Sequence, residues 1–290
     1  MAKSYYKYFL ALLLFGSNGL LASRISLSSY EIVLFRTLFG SLLLLAIFLV
    51  SQKFTFYKKR PDAIFLAVSG VAMGASWMFL YEAYQQIGIG LSSILYYCGP
   101  VLVMALSPLL FHESLTVHMG IGFSAVLIGI FLVNGNLFSE GNTIYGVFCG
   151  GMSAVTYAVM VICNKRAARI TGLENAALQL FTSFLTVAIF VGLKQGYQIA
   201  IPGTDWVPLL VLSLFNTGLG CYWYFSSIGQ LPVQTVSICG YLEPFSAVLF
   251  SAIFLHETLL PLQIVGAVLI LSGAVFGEWG RSFQNLPKRK

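Results

Sequence analysis

Ten apolar runs of about 20 residues each, joined by short polar connections, leave this chain few ways to fold. They lie at roughly 6–23, 31–51, 62–84, 90–110, 117–134, 142–163, 175–194, 206–228, 233–255 and 261–279. A run of that length matches the hydrocarbon thickness of a bilayer. There every backbone N–H and C=O must be satisfied within the segment, so the runs read as helices. The expected fold class is therefore an all-α membrane protein with ten transmembrane helices. Composition agrees: the 290 residues are 58% hydrophobic and 9% charged, against about 25% charged in soluble domains. A water-soluble fold would have too few charged side chains to cover its surface. The small residues Leu21-Ala22-Ser23 resemble a signal-peptide cleavage site, but cleavage there would leave nine spans.

The formal net charge of +6 would suggest nucleic acid in a soluble protein. Here the basic residues sit in short loops and suit the anionic inner leaflet, so no nucleic acid is expected as a partner. With a cytoplasmic amino terminus, every Lys and Arg except Arg24, Arg36 and Lys194 falls on the cytoplasmic side. The positive-inside rule then puts both termini in the cytoplasm, in a multi-pass protein of the cytoplasmic membrane. The five cysteines, Cys98, Cys149, Cys163, Cys221 and Cys239, lie in apolar stretches without a CxxC pair. They read as small core residues, with no metal or cofactor implied.

The chain repeats itself at an offset of 144 residues. Gly74 matches Gly218, Gln86 matches Gln230, Tyr97 matches Tyr241, Pro100 matches Pro244, His112-Glu113 matches His256-Glu257, and Gly122 and Gly129 match Gly266 and Gly273. Two five-helix repeats follow, 1–135 and 136–290. An odd number of spans per repeat makes them insert in opposite senses, which puts His112-Glu113 at the cytoplasmic face and His256-Glu257 at the exterior. Inverted repeats around a central cavity are the architecture of secondary transporters.

The paired segments Tyr97-Cys98-Gly99-Pro100 to His112-Glu113 and Tyr241-Leu242-Glu243-Pro244 to His256-Glu257, with Phe15-Gly16-Ser17-Asn18 near the start, resemble the ten-helix EamA-type carriers of the drug/metabolite transporter superfamily. The resemblance covers essentially the whole chain. It implies a helical basket around a cavity and the export of metabolites, amino acids or xenobiotics, without a soluble energy-coupling domain. The chain carries no GxxxxGK[ST] phosphate loop of its own.

Ionisable residues inside spans cost about 2.5–3.5 kcal/mol at a helix centre, so each needs a reason. Glu243 precedes Pro244, whose ring frees a backbone carbonyl in the preceding turn. It reads either as the binding site for a cationic or zwitterionic solute or a proton, or as a structural carboxylate paired with Arg36. Glu82, in Trp77-Met78-Phe79-Leu80-Tyr81-Glu82, either lines an outer vestibule or reaches the interface. Arg36 either snorkels outward or serves as counter-ion to Glu243, Glu82 or an anionic solute. Tyr81, Tyr84, Tyr96, Tyr97, Tyr157, Tyr222, Trp223, Tyr224 and Tyr241 fall in spans that the repeat makes central, where they would line a site for a flat solute, form an interfacial belt, or simply pack. The expected substrate-binding set is Glu243, Tyr97, Tyr241, Asn18, Trp77, Tyr81, Glu82, Arg36, Tyr157, Asn216 and Tyr222.

The His-Glu corners lack HExxH spacing and are expected to have a structural role at helix starts near Thr116 and Leu259–Leu262, or else to make gating contacts. Glycines four apart, Gly70/Gly74, Gly146/Gly150 and Gly273/Gly277, permit close helix contact, within a monomer or in a weak homodimer. The function expected is a secondary transporter of a small organic solute such as an amino acid, amine or aromatic metabolite, working by alternating access and open to proton coupling. A membrane scaffold or receptor is the alternative. An intramembrane lipid-modifying enzyme is a further one, but it lacks a nucleophile–base constellation in the sequence, so no catalytic residue is assigned.

Overall fold

The computed structural model describes residues 2–51, 60–112, 116–133, 144–197, 200–254 and 261–284. Among the described residues the chain is helical: α1 (Ala2–Gly16), α2 (Asn18–Ala22), α3 (Ser29–Ser51), α4 (Arg60–Phe111), α5 (Val117–Val133), α6 (Ile144–Arg166), α7 (Gly172–Lys194), α8 (Trp206–Val211), α9 (Gly220–Ile228), α10 (Val233–Cys239), α11 (Leu242–Phe254) and α12 (Pro261–Gln284). Six stretches are long and apolar enough to cross a membrane, residues 29–51, 61–87, 144–166, 172–194, 203–228 and 233–254. Shorter apolar helices run Leu95–Phe111, Val117–Leu132 and Ile264–Gly277. Large apolar side chains stand on the outside, with Ile144 91% and Leu193 85% exposed. A soluble protein does not carry such a surface. The molecule is a multi-pass membrane protein.

Helical bonding runs through α4 without interruption, although the chain reverses within it. Ser69 and Ser76 donate to the carbonyls of Met160 and Ser153, which sets the first half of α4 antiparallel to α6. Leu95 packs on Gly150 and Gly99 on Ala154 and Tyr157, which sets the second half parallel to the same helix. A straight helix would hold Ser76 and Gly99 roughly 35 Å apart. The two apolar runs read at 62–84 and 90–110 thus lie in opposite directions along α6, joined by a bend.

Two other expected spans are broken. The run 6–23 divides at Ser17, whose hydroxyl bonds back to the Leu14 carbonyl at 2.7 Å. The run 233–255 divides at Gly240 and Tyr241, where α10 ends and α11 begins. Pro244 falls in the first turn of α11, the one place in a helix where a missing N–H costs little. Between α8 and α9 the chain widens into a π turn, Leu212–Leu219, with the Thr217 hydroxyl bonded to the Leu212 carbonyl at 3.0 Å.

Glycine-mediated contacts set the helix pairs. A Cβ on Gly122 would lie 2.5 Å from the Gly273 oxygen, and one on Gly129 would lie 2.6 Å from the Gly266 oxygen. These contacts make α5 and α12 antiparallel neighbours. Gly74 meets Ser183 and Thr186 of α7, and Gly218 meets Leu43 and Gly40 of α3.

Two carboxylates clasp loops. Asp62 accepts the Arg169 backbone N–H at 2.8 Å and pairs with its guanidinium at 2.7 Å. Asp205 accepts the Ser26 backbone N–H at 2.8 Å and its hydroxyl at 2.7 Å.

At the helix starts, Thr116 caps α5 through its hydroxyl, which accepts the Met119 N–H at 3.1 Å. His112 closes α4 with φ 55°, a left-handed conformation. Glu113, His256 and Glu257, and with them the expected corner roles, lie outside the described residues.

Candidate functional site

The breaks in two spans and the bend in α4 surround one cavity of about 630 Å³. Its wall takes Phe15 and Asn18 from the kink between α1 and α2, Ile32 and Arg36 from α3, and a stripe from the first half of α4: Met73, Ser76, Trp77, Leu80, Tyr81 and Tyr84. Tyr96 and Tyr97 come from the second half, Tyr157 from α6, Cys221 and Tyr224 from α9, and Glu243 from the first turn of α11. The cavity extends to the connection between α2 and α3, where Ser23 and Ser29 line it. Toward the other end three contacts join the helices. There Ser4 donates to Gln230 at 2.6 Å, Tyr8 donates to the Val236 carbonyl at 2.7 Å, and Lys165 bonds the Leu231 carbonyl.

Among the described residues, Arg36 and Glu243 are the only charged ones in this wall. Arg36 is 6% exposed, and its Nε donates to Thr217 Oγ1 at 3.1 Å. Its guanidinium carbon sits 4.4 Å from the centre of the Trp77 ring, a cation–π stack. Among the described residues the ion pairs are Asp62–Arg169 and Glu82–Lys194, so Arg36 and Glu243 share the cavity without bonding each other. Around them the tyrosines form an aromatic lining. Tyr96 meets Tyr157 edge-on at 5.4 Å, and the Tyr157 and Tyr224 hydroxyls are 3.4 Å apart.

The expected residues divide. Glu243, Tyr97, Asn18, Trp77, Tyr81, Arg36 and Tyr157 converge on the cavity. Tyr241 does not: it is fully buried, its hydroxyl bonds the Tyr97 carbonyl at 2.7 Å, and its ring meets the Phe123 edge. The break at Gly240 turns Tyr241 toward α5 while Glu243 turns inward. Glu82 lies outside the wall, bonded to Lys194 at 2.8 Å, to the Tyr30 hydroxyl and to Gln86 at 3.3 Å. One residue along a helix rotates a side chain by about 100°, so Tyr81 faces the cavity and Glu82 faces α3 and α7. Glu82 therefore ties three helices, and Lys194 supplies the counter-charge for which Arg36 was one candidate.

Asn216 is 2% exposed and holds the α1–α2 kink by donating to the Leu14 carbonyl, Ser17 Oγ and Asn18 Oδ1 at 2.8, 2.8 and 3.1 Å. It thus orients Asn18 and is not part of the cavity wall. Tyr222 points away from the cavity and carries Lys7 over its ring at 4.9 Å.

The α4 stripe was readable in part. Residues 73, 76, 77, 80, 81 and 84 recur at helical spacing, so the choice of Trp77 and Tyr81 could have been extended to Met73, Ser76 and Leu80. Cys221 gave no signal beyond a small core residue.

The chain matches the EamA-like transporter family twice, over residues 3–135 and 144–277. It belongs to that family. Among similar proteins, "Uncharacterized transporter YxxF" of Bacillus subtilis is 24% identical over 92% of this chain and 86% of its own length. A "Probable amino-acid metabolite efflux pump" of Salmonella typhimurium is 25% identical over 80% of this chain and 83% of its own. "Pseudopaline exporter CntI" of Pseudomonas aeruginosa is 30% identical over a shorter stretch, 43% of this chain and 46% of its own. A solved crystal structure shares the fold with a TM-score of 0.82, at 17% identity over 95% of this chain and 97% of that one. This EamA-like protein is accordingly a member of a transporter family.

Proposed function

We propose that this protein is a secondary transporter that exports a small organic solute, such as an amino acid, an amine or an aromatic metabolite, through the cytoplasmic membrane. The observation that carries the reading is Glu243, a carboxylate on the wall of an aromatic-lined cavity with no ion-pair partner among the described residues. A group of this kind can hold a cationic or zwitterionic solute and exchange it for a proton. The names of the Salmonella and Pseudomonas relatives point the same way.

The mechanism we infer is alternating access between inverted repeats, 1–135 and 136–290, each of five spans. A two-fold relation carrying residue n to n+144 requires that a contact between 122 and 273 be matched by one between 129 and 266. Both contacts occur, between antiparallel helices. The related pair Tyr97 and Tyr241 also touch, as residues beside such an axis should. The two clasps obey nearly the same rule, since Asp62 and Arg169 stand 143 residues before Asp205 and after Ser26 respectively.

With the basic loops inside, the cavity reaches the exterior, and the contacts of Ser4, Tyr8 and Lys165 close the cytoplasmic side. The present conformation is then the outward-facing one, and export requires those contacts to open. In proteoliposomes carrying a pH gradient, the purified protein should move solute, and Glu243→Gln should abolish coupled flux while leaving the elution profile of the folded protein unchanged. Unaltered pH-dependent flux in that variant would remove Glu243 from the mechanism.

A further inference from the structure

Arg36 has no carboxylate within ion-pair distance among the described residues. A guanidinium withdrawn from water needs a compensating negative charge, because an uncompensated buried ion is costly. Glu82, once a candidate, is taken by Lys194 at 2.8 Å. Glu243 lines the same cavity but lies beyond ion-pair distance. What the protein does supply holds the guanidinium in place: Thr217 accepts a hydrogen bond from Nε at 3.1 Å, and the centre of the Trp77 ring lies 4.4 Å from its central carbon. Thr217 is itself positioned by the π turn, whose widened backbone lets its hydroxyl bond the Leu212 carbonyl at 3.0 Å. π turns of this kind occur often at functional sites. A planar donor fork, set over an aromatic ring and tethered at its inner nitrogen, suits two parallel hydrogen bonds to a carboxylate.

We propose that Arg36, on its Trp77–Thr217 platform, is the subsite for a carboxylate of the transported solute, so that the carrier selects amino acids and organic acids over amines. The inference rests on the carrier function and narrows its substrate class.

Charge balance supports the selection. An amino-acid zwitterion leaves the cavity neutral with Glu243 ionised, its carboxylate on Arg36 and its ammonium toward Glu243. A monocarboxylate leaves the cavity neutral with Glu243 protonated. An amine leaves a net positive charge in either state of Glu243, in surroundings of tyrosine, tryptophan and leucine where such charge is poorly solvated. The tyrosine walls suit a flat apolar remainder.

Three compounds of one skeleton separate these cases: L-phenylalanine, 3-phenylpropanoate and phenethylamine. Titration calorimetry on the purified full chain should show the two acids binding at least tenfold more tightly than the amine. Arg36→Gln should collapse that ratio by tenfold or more, and Arg36→Lys, which keeps the charge but loses the fork, should retain part of it. Thr217→Val, which leaves the guanidinium in place, should lower the ratio about threefold and serves if Arg36→Gln does not fold. Equal weakening of all three compounds, an intrinsic preference for phenethylamine, or no binding of any of them would overturn the proposal. Flux assays with the same set separate it from the carrier reading. Acid-selective binding without flux would overturn the carrier and leave the subsite standing. Flux of phenethylamine that ignores Arg36 would overturn the subsite and leave the carrier standing.

Discussion

Tyr97-Cys98-Gly99-Pro100 stays inside α4, whereas Tyr241-Leu242-Glu243-Pro244, the matching segment of the second half, straddles the gap between α10 and α11. Both have proline in the same place, so proline does not decide the break. In the first copy Gly99 lets the helix lie directly on Tyr157 and Ala154, where a Cβ would meet the Tyr157 ring at 2.6 Å. In the second copy glutamate stands in place of that glycine and the close approach is lost. The helix restarts at Leu242, with the carboxylate in its first turn, where the free backbone N–H groups favour negative charge. The same asymmetry holds for Arg36, whose counterpart 144 residues on is Leu180, fully buried in the apolar core. Each half thus contributes one charge to the cavity, and at the matching place in the other half there is an apolar residue or no side chain. Two halves that match in sequence at an offset of 144 residues thus differ in chemistry at these two positions.

The comparison can be broken most forcefully at the paired positions themselves. Gly99→Leu should destabilise by about 3 kcal/mol through overpacking on α6, seen as a lower melting temperature in detergent. Glu243→Leu, which has the cavity to fill, should stay within about 1 kcal/mol of the parent. Comparable losses in both would mean that Glu243 is structural.

Next in size are the clasps. Asp62→Ala should cost about 2 kcal/mol, as expected for a charged acceptor of backbone hydrogen bonds, and Asp205→Ala should lower the melting temperature in the same direction. If only one of them is destabilising, the two loop attachments are not equivalent.

Smaller still, Tyr241→Phe should cost about 1 kcal/mol by freeing the Tyr97 carbonyl, while Tyr97→Phe should leave stability within about 0.5 kcal/mol and change solute affinity instead. Calorimetry on both variants would reveal whether the two tyrosines have parted roles. The smallest effect expected is at the prolines. Pro100→Ala restores a donor inside an unbroken helix and should gain about 0.5 kcal/mol, whereas Pro244→Ala, in a first turn, should change little.

Glu82 and Glu243 show how far residue type carries a functional assignment. Both are carboxylates in apolar spans, and the cost of burying charge marked both as needing a partner. Only packing separates them. Glu82 meets Lys194 from the far end of α7, 112 residues away in sequence, whereas Glu243 meets open space. Tyr97 and Tyr241 part in the same way, since a turn of backbone at Gly240 sends one tyrosine to the wall and the other into the core. Asn216 was assigned to the site for its amide alone, and its three bonds to the α1–α2 kink depend on α1 lying against the π turn.

By itself the sequence determined the solvent, the helical class and the repeated pattern of residues. Those are local or additive properties: apolar run length, the satisfaction of backbone bonds within a helix, and an offset visible in the letters. It also marked Arg36 and Glu243, because a charge in an apolar span is conspicuous wherever it lands. Tertiary structure alone decided which of the charged and aromatic residues share a cavity, because facing depends on where helices bend and break. A bend in α4 and gaps at Ser17 and Gly240 rotate neighbouring side chains by large angles, and they arise from contacts between helices distant in the chain.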